Sequence, residues 1–157
     1  MGDFWTVRPL QPGEEEAACA LVRRVFDVFV APEYEPEGVQ AFYRYADPER
    51  LRERLANGHD VLLAFVGDAL VGVLEMRGGH HISLLFVDAM FQGRGIARAL
   101  MDAAIALGRE RVPGLRVISV NASPNSALIY ERLGFRATAP RQQREGMVFI
   151  PMEREIA

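Results

Sequence analysis

Lysine is absent from the 157 residues, and all eighteen cations are arginine. A phosphate-binding P-loop lysine, a Schiff-base lysine and a lysine general base are therefore excluded. Cysteine occurs once, at Cys19, which excludes an internal disulfide and a cysteine-rich zinc site and fits a reducing compartment. Its neighbours Ala17, Ala18, Leu21 and Val22 read as a packed helix face, with the thiol an inert core group. No apolar run approaches the ~18 residues needed to span a bilayer. The start, Met1 to Trp5, lacks the basic and apolar regions of a secretory signal. The expected setting is soluble and cytoplasmic, without a membrane partner. Basic charge is not in excess either. The net charge of −3 argues against a nucleic-acid partner, which would meet a basic face. Repeats, low-complexity tracts and linker-like stretches are missing. With about 150 residues per domain as a guide, residues 1–157 read as one domain. Its 50% hydrophobic and 25% charged content excludes disorder, collagen and coiled coil.

What is present alternates between two periods. Trp5 to Leu10 reads as a strand stopped by Gln11-Pro12-Gly13. Glu14 to Phe29 carries Ala18, Leu21, Val22, Val25, Phe26 and Phe29 at three- and four-residue steps, an amphipathic helix with acids in its first turn. Pro36 to Ala56 reads as one or two helical pieces broken near Asp47-Pro48. Asp60–Val66, Leu70–Met76 and His81–Val87 are short strands joined by Gly67-Asp68 and Gly78-Gly79, an antiparallel meander. Gly95 to Val112 is a strong helix, Val117–Asn121 a strand, and Asn125–Leu133 a short helix closed by Gly134. Phe135–Ala139 and Met147–Met152 are strands around a polar loop. The strand–helix–strand unit in the middle implies one parallel pairing in a mixed sheet. The fold class is α+β.

Chemistry concentrates between Ser83 and Ala97. A strand ends there, and a glycine-rich loop opens a long helix. Unpaired N–H groups at a helix start carry partial positive charge. Gly93 and Gly95 let an anion approach them, and Arg94 and Arg98 add charge. A pyrophosphate suits that arrangement, although a plain glycine-softened cap is the alternative. A dinucleotide-binding Rossmann loop fits poorly, because Arg98 occupies its third glycine position and a meander precedes it.

The run Val120-Asn121-Ala122-Ser123-Pro124-Asn125-Ser126-Ala127-Leu128-Ile129-Tyr130-Glu131-Arg132-Leu133-Gly134-Phe135 resembles a signature of the GNAT superfamily of acyl-CoA N-acyltransferases. Gln92-Gly93-Arg94-Gly95-Ile96-Ala97 is similar to that superfamily's Q/R-x-x-G-x-G/A loop. The resemblance runs from about Asp60 to the end of the chain. It implies a mostly antiparallel central sheet flanked by helices, with two splayed parallel central strands. It implies a β-bulge in the strand ending at Val87 and acetyl-CoA as cosubstrate. The pantetheine arm would pair with backbone near Phe86 and Val87, in strand-addition fashion. The pyrophosphate would rest on the loop from Gln92 through Gly93, Arg94, Gly95 and Ile96 to Ala97. Asn125 would contact the arm near the thioester and cap its helix, or cap only. Asn121 reads as structural, and Leu128, Leu133 and Phe135 as core. Homodimers are frequent among the proteins that it resembles.

Two roles remain for the reaction itself. Tyr130 is the candidate acid for the leaving thiolate, with a packed aromatic as the alternative. An alkylammonium of pKa ~10.4 must lose a proton before it attacks. Glu75, His80, His81 and Ser83 are the candidate bases, with Glu75 and His81 preferred. Alternation places Glu75 on the face opposite Leu74 and Met76. Adjacent His80 and His81 point opposite ways, so they do not form a metal pair. His59 reads as surface, and no metal site is expected. The acceptor side is expected from the N-terminal helices and last hairpin, where Glu33, Glu35, Glu37, Phe42, Tyr43 and Tyr45 would suit a cationic amine. The resulting expectation is acetyl transfer to an amine on a small molecule or a peptide, by direct attack in a ternary complex. A non-catalytic acyl-CoA sensor is the rival.

Overall fold

The computed structural model describes residues 4–156. Five strands of the sheet come from the regions of two-residue alternation. β1 (Thr6–Pro9), β2 (His59–Val66), β3 (Ala69–Arg77), β4 (His81–Val87) and β5 (Val117–Ala122) lie in that order across the sheet. β6 (Arg136–Ala137), β7 (Gln142–Arg144) and β8 (Met147–Glu155) complete it, with β8 against β5 and both short strands against β8. Every pairing is antiparallel except β4 with β5. Among the described residues, no helix is long and apolar enough to cross a membrane.

Two hydrophobic cores follow from the alternation. On one face, Leu62, Leu74, Met76 and Ile82 meet Leu100, Met101 and Ala104 of α4 (Ile96–Arg111). On the other, Val61, Leu63, Val73 and Leu84 meet Ala18, Leu21 and Val22 of α1 (Glu15–Phe29) and Leu51 of α3 (Pro48–Leu55). Each large side chain so buried contributes roughly 1.5–3 kcal/mol. Between α1 and α3 lies α2 (Pro36–Tyr45), with proline at its first position, where the missing N–H costs nothing. Its Phe42 stacks on Phe26 of α1, ring centres 3.8 Å apart. Asp47 then caps α3 by accepting from Glu49 and Arg50 N–H.

The polar loop expected before the last strand contains β7, which pairs Gln142 with Phe149 and Arg144 with Met147. Glu145 and Gly146 form the turn, with φ of 52° and 80°. Positive φ at both positions is the twist-matched hairpin turn. That turn docks on α2: Glu35 N–H donates to Gly146 C=O at 2.9 Å. Gly38 passes so close to Gly146 that a Cβ would collide with its carbonyl.

Candidate active site

β4 and β5 pair only at His81–Ser119 and Ile82–Val120, then separate. A bulge precedes the opening. Glu75 opposes Leu84 and Met76 opposes Ile82, which leaves Ser83 as the extra residue of β4. Beyond it the Asp88 N–H bonds Val71 C=O, so by the ladder's alternation the backbone groups of Val87 face the open side. The Gln92 side-chain amide already donates to Val87 C=O at 3.0 Å.

The loop after β4 is held at both ends. Asp88 accepts from Met90 N–H and pairs with Arg24 of α1 at 3.0 Å, and these partners lower its pKa. Gly93 and Gly95 take φ of 78° and 88°, which only glycine adopts without strain. Gly95 precedes α4 with no side-chain cap, and Ala99 is the first residue to bond back to it. The N–H groups of Ile96, Ala97 and Arg98 thus lack helical acceptors. Arg98 bonds Arg132 C=O at 2.9 Å, joining the start of α4 to the end of α5 (Ala127–Arg132). The guanidinium of Arg94 stands over the Phe91 ring.

These elements enclose a cleft of about 370 Å³. Phe86, Val87, Gln92, Gly93, Gly95, Ile96, Ala97, Asn125 and Tyr130 all line it. Tyr130 is buried against Phe135, edge to face at 5.5 Å. Burial raises the pKa of its phenol, which stays protonated. The sequence model of the family described as "Acetyltransferase (GNAT) domain" matches residues 30–156.

The chain belongs to the GNAT acetyltransferases.

An uncharacterised N-acetyltransferase of Escherichia coli K12, YafP, is 31% identical over 138 residues, covering 88% of this chain and 84% of that protein. A GCN5-related N-acetyltransferase of Rhodopseudomonas palustris superposes with a TM-score of 0.83 at 24% identity, over 99% of this chain and 97% of that one. The PaiA N-acetyltransferase of Thermoplasma acidophilum, solved with coenzyme A, gives 0.76 at 19% identity, over 98% and 99%. The chain is accordingly an acyl-CoA N-acyltransferase, and the splayed β4–β5 pair is the wedge that the sequence resemblance implied.

This GNAT cleft differs from the sequence expectation in several residues. Asn125 does not cap α5. It sits in a preceding 3₁₀ turn, donates its side-chain amide to Phe29 C=O at 3.0 Å, and its N–H bonds Glu33. Asn121, read as structural, lines the cleft. Leu128, read as core, is 55% exposed, because the 3₁₀ turn shifts the helical phase. Leu133 and Phe135 are buried. The acids at Glu33, Glu35 and Glu37 do not line the cleft, and no residue of the last hairpin does. Phe29, Tyr34 and Phe42 do.

Neither preferred base reaches the cleft. His81 lies at the closed end of the wedge, where its Nδ1 is 2.8 Å from Ser119 Oγ. Burial, then Arg77 and His80, lower its pKa to about 4. The unfolded chain would bind a proton there from pH 6.5 downward and the folded chain only near 4. Stability should therefore fall as pH drops through that window. His81→Gln should flatten that fall in urea midpoints taken between pH 7 and 4. An unchanged pH slope contradicts this reading.

Glu75 is fully buried under α2 and α3. Arg54 of α3 grips both its oxygens, at 2.7 and 3.0 Å. Tyr45 donates to it at 3.2 Å, and His59 Nδ1 lies 2.7 Å away. His59 is thus part of a buried cluster and not surface. No local pattern announces that cluster, because its members come from four separate elements. Cys19 lies beside it, and burial raises its thiol pKa to about 11, in keeping with an inert core group.

Proposed function

We propose that the chain moves acetyl from acetyl-CoA to a primary amine by direct attack with both bound, acting as one catalytic domain. The observation that carries this is the wedge, with the open first turn of α4 at one end and Tyr130 inside it. The residues fit coenzyme A. Three free N–H groups at a positive helix end, behind two left-handed glycines, suit a pyrophosphate. The Val87 edge of β4 suits the amides of an extended arm. Asn125, tied to Phe29 across the mouth, would meet the arm through its amide oxygen. Bound acetyl-CoA supplies an activated thioester. Tyr130, kept protonated by burial, donates to the sulfur as charge develops there and yields its proton.

Gly95→Asp should weaken coenzyme A binding at least tenfold, about 1.4 kcal/mol. A Cβ at Gly95 has room, 3.5 Å from the Trp5 ring, so charge and left-handed strain are the costs. Gly95→Asn carries the same strain without the charge and should lose less. Equal calorimetric affinities for wild type and a folded Asp variant contradict the site.

The acceptor end is apolar. Phe29, Tyr34, Phe42, Leu84 and Phe86 face it, and among the described residues no carboxylate or imidazole lines the cleft. An amine on an apolar body fits that wall. A polyamine would bury further charges without partners. Coenzyme A release should be measured with a phenylalkylamine, spermidine and a peptide N-terminus. The account expects the highest kcat/KM for the phenylalkylamine. A preference for spermidine contradicts the acceptor class, and no release with any amine contradicts the transfer.

A further inference from the structure

Two left-handed glycines shape the loop before α4, and their surroundings differ. A Cβ at Gly93 would meet nothing within 4 Å, whereas one at Gly95 would stand 3.5 and 3.6 Å from the Trp5 ring. Both ring atoms, Cη2 and Cζ2, are carbon, so the contact is packing and not a hydrogen bond. Trp5 is the only tryptophan of the chain and immediately precedes β1, whose Thr6 pairs with Phe65 of β2. Its half-buried ring packs against the core that contains Ile96 and Leu100 of α4. Trp5 does not line the cleft, so it backs the loop from outside. The start of the loop has its own ties, Asp88 to Arg24 and Gln92 to Val87 C=O. At Gly95, beyond those ties, the Trp5 ring takes over.

We infer that Trp5 is a positioning residue for the coenzyme A loop, holding Gly95 in the anion-binding conformation before the cofactor arrives. This rests on the proposed acetyl-CoA site. Glycine enters positive and negative φ about equally readily. A loop with glycine at 93 and 95 can therefore leave the conformation that opens the first turn of α4 to the cleft. The indole has only two side-chain torsions, so it forms a stiff backing at little entropic cost. It fills the space into which the Gly95 backbone would otherwise swing. Trp5 touches neither substrate and acts through Gly95. Without it, only the fraction of molecules with the loop in place binds coenzyme A, and the affinity falls by that fraction. Once bound, the cofactor holds the loop itself, so the chemical step is unaffected.

Trp5→Ala should weaken coenzyme A binding about tenfold by calorimetry, the result expected when the competent loop falls to about a tenth of the population. KM for acetyl-CoA should rise in parallel, with kcat at saturation within about twofold of wild type. Acetyl-pantetheine is the decisive control, because it carries the same thioester and arm without the pyrophosphate. Its kcat/KM should stay within about twofold in the variant. Trp5→Phe keeps part of the ring and should lose less coenzyme A affinity. Trp5→Leu replaces Trp5→Ala if the latter melts below the assay temperature, and carries the same prediction. A Trp5 that only stabilises the fold predicts a lower melting temperature with coenzyme A affinity unchanged. A distortion of the whole cleft predicts equal losses with both donors. Either result overturns the role. Wild type that binds no coenzyme A overturns the proposed site itself, and the role with it.

Discussion

Tyr130→Phe is expected to lower kcat by roughly 10²–10⁴-fold, the scale of general acid catalysis. That corresponds to about 3–5 kcal/mol in the barrier. The argument begins with where the hydroxyl lies. Tyr130 lines the cleft, and its ring packs on Phe135 within the core below α4. The substitution keeps that ring and its contacts. Tyr130 makes no side-chain hydrogen bond to another described residue, so no partner is left unpaired and stability should change by less than about 1 kcal/mol. Acetyl-CoA affinity should hold as well. Burial also makes the phenol a weak acid, so its proton moves only as the thiolate charge develops. A tyrosine that only packs predicts normal turnover per folded molecule, with the melting temperature unchanged as well. Turnover separates the two, and the melting temperature on the same preparation checks that the fold is intact. With chemistry shown to be rate-limiting, a fall of less than threefold contradicts the acid role.

Glu75→Ala should destabilise the fold by about 3–5 kcal/mol, the cost of leaving a buried charge without its partner. The Arg54 side chain is 13% exposed and its guanidinium makes two bonds to this carboxylate. His59 and Tyr45 would lose their acceptor too. Because Arg54 also donates to Tyr45 C=O at 2.7 Å, the cluster fixes the α2–α3 corner and with it Phe42 in the cleft wall. At about 2–4 °C per kcal/mol for a chain near this size, melting should drop by roughly 10 °C. Urea unfolding gives the free energy directly. A loss below about 1 kcal/mol would mean that the charge was never desolvated. Glu75→Gln keeps the shape and should fall between wild type and Ala.

The legible parts of the fold were those with local signals. Gly67-Asp68 and Gly78-Gly79 mark both hairpins of the meander, and the three observed meander strands match the expected ones to within one residue at each end, whereas the last strand runs three residues past Met152. The glycine loop and the Asn125–Tyr130 spacing pointed to residues that line the cleft. What escaped depends on distant partners. β7 is three polar residues, and Glu145-Gly146 lacks the Asn or Asp that announces a tight hairpin. Glu75 stood out as a charge in an apolar run, but its partners Tyr45, Arg54 and His59 are 16 to 30 positions away. Leu128 was misplaced because helical periodicity was extended through a 3₁₀ turn that rotates the phase. The acidic segment Glu33–Glu37 looked like an amine site by composition. Its Tyr34 lines the cleft, as does Phe42 beyond it, while the Glu33 carboxylate accepts from Asn125 N–H and the backbone of Glu35 bonds Gly146 and the first turn of α2.

The central claim is direct transfer to an amine from acetyl-CoA held in the β4–β5 wedge. It is tested most directly by following coenzyme A release and acetylated product together, with stoichiometric acetyl-CoA, before and after amine is added. The account predicts no release and no acetylated protein without amine, then one acetylated amine per coenzyme A. Release or protein acetylation before the amine arrives contradicts direct attack, and tight binding with no product from any amine contradicts the transfer itself.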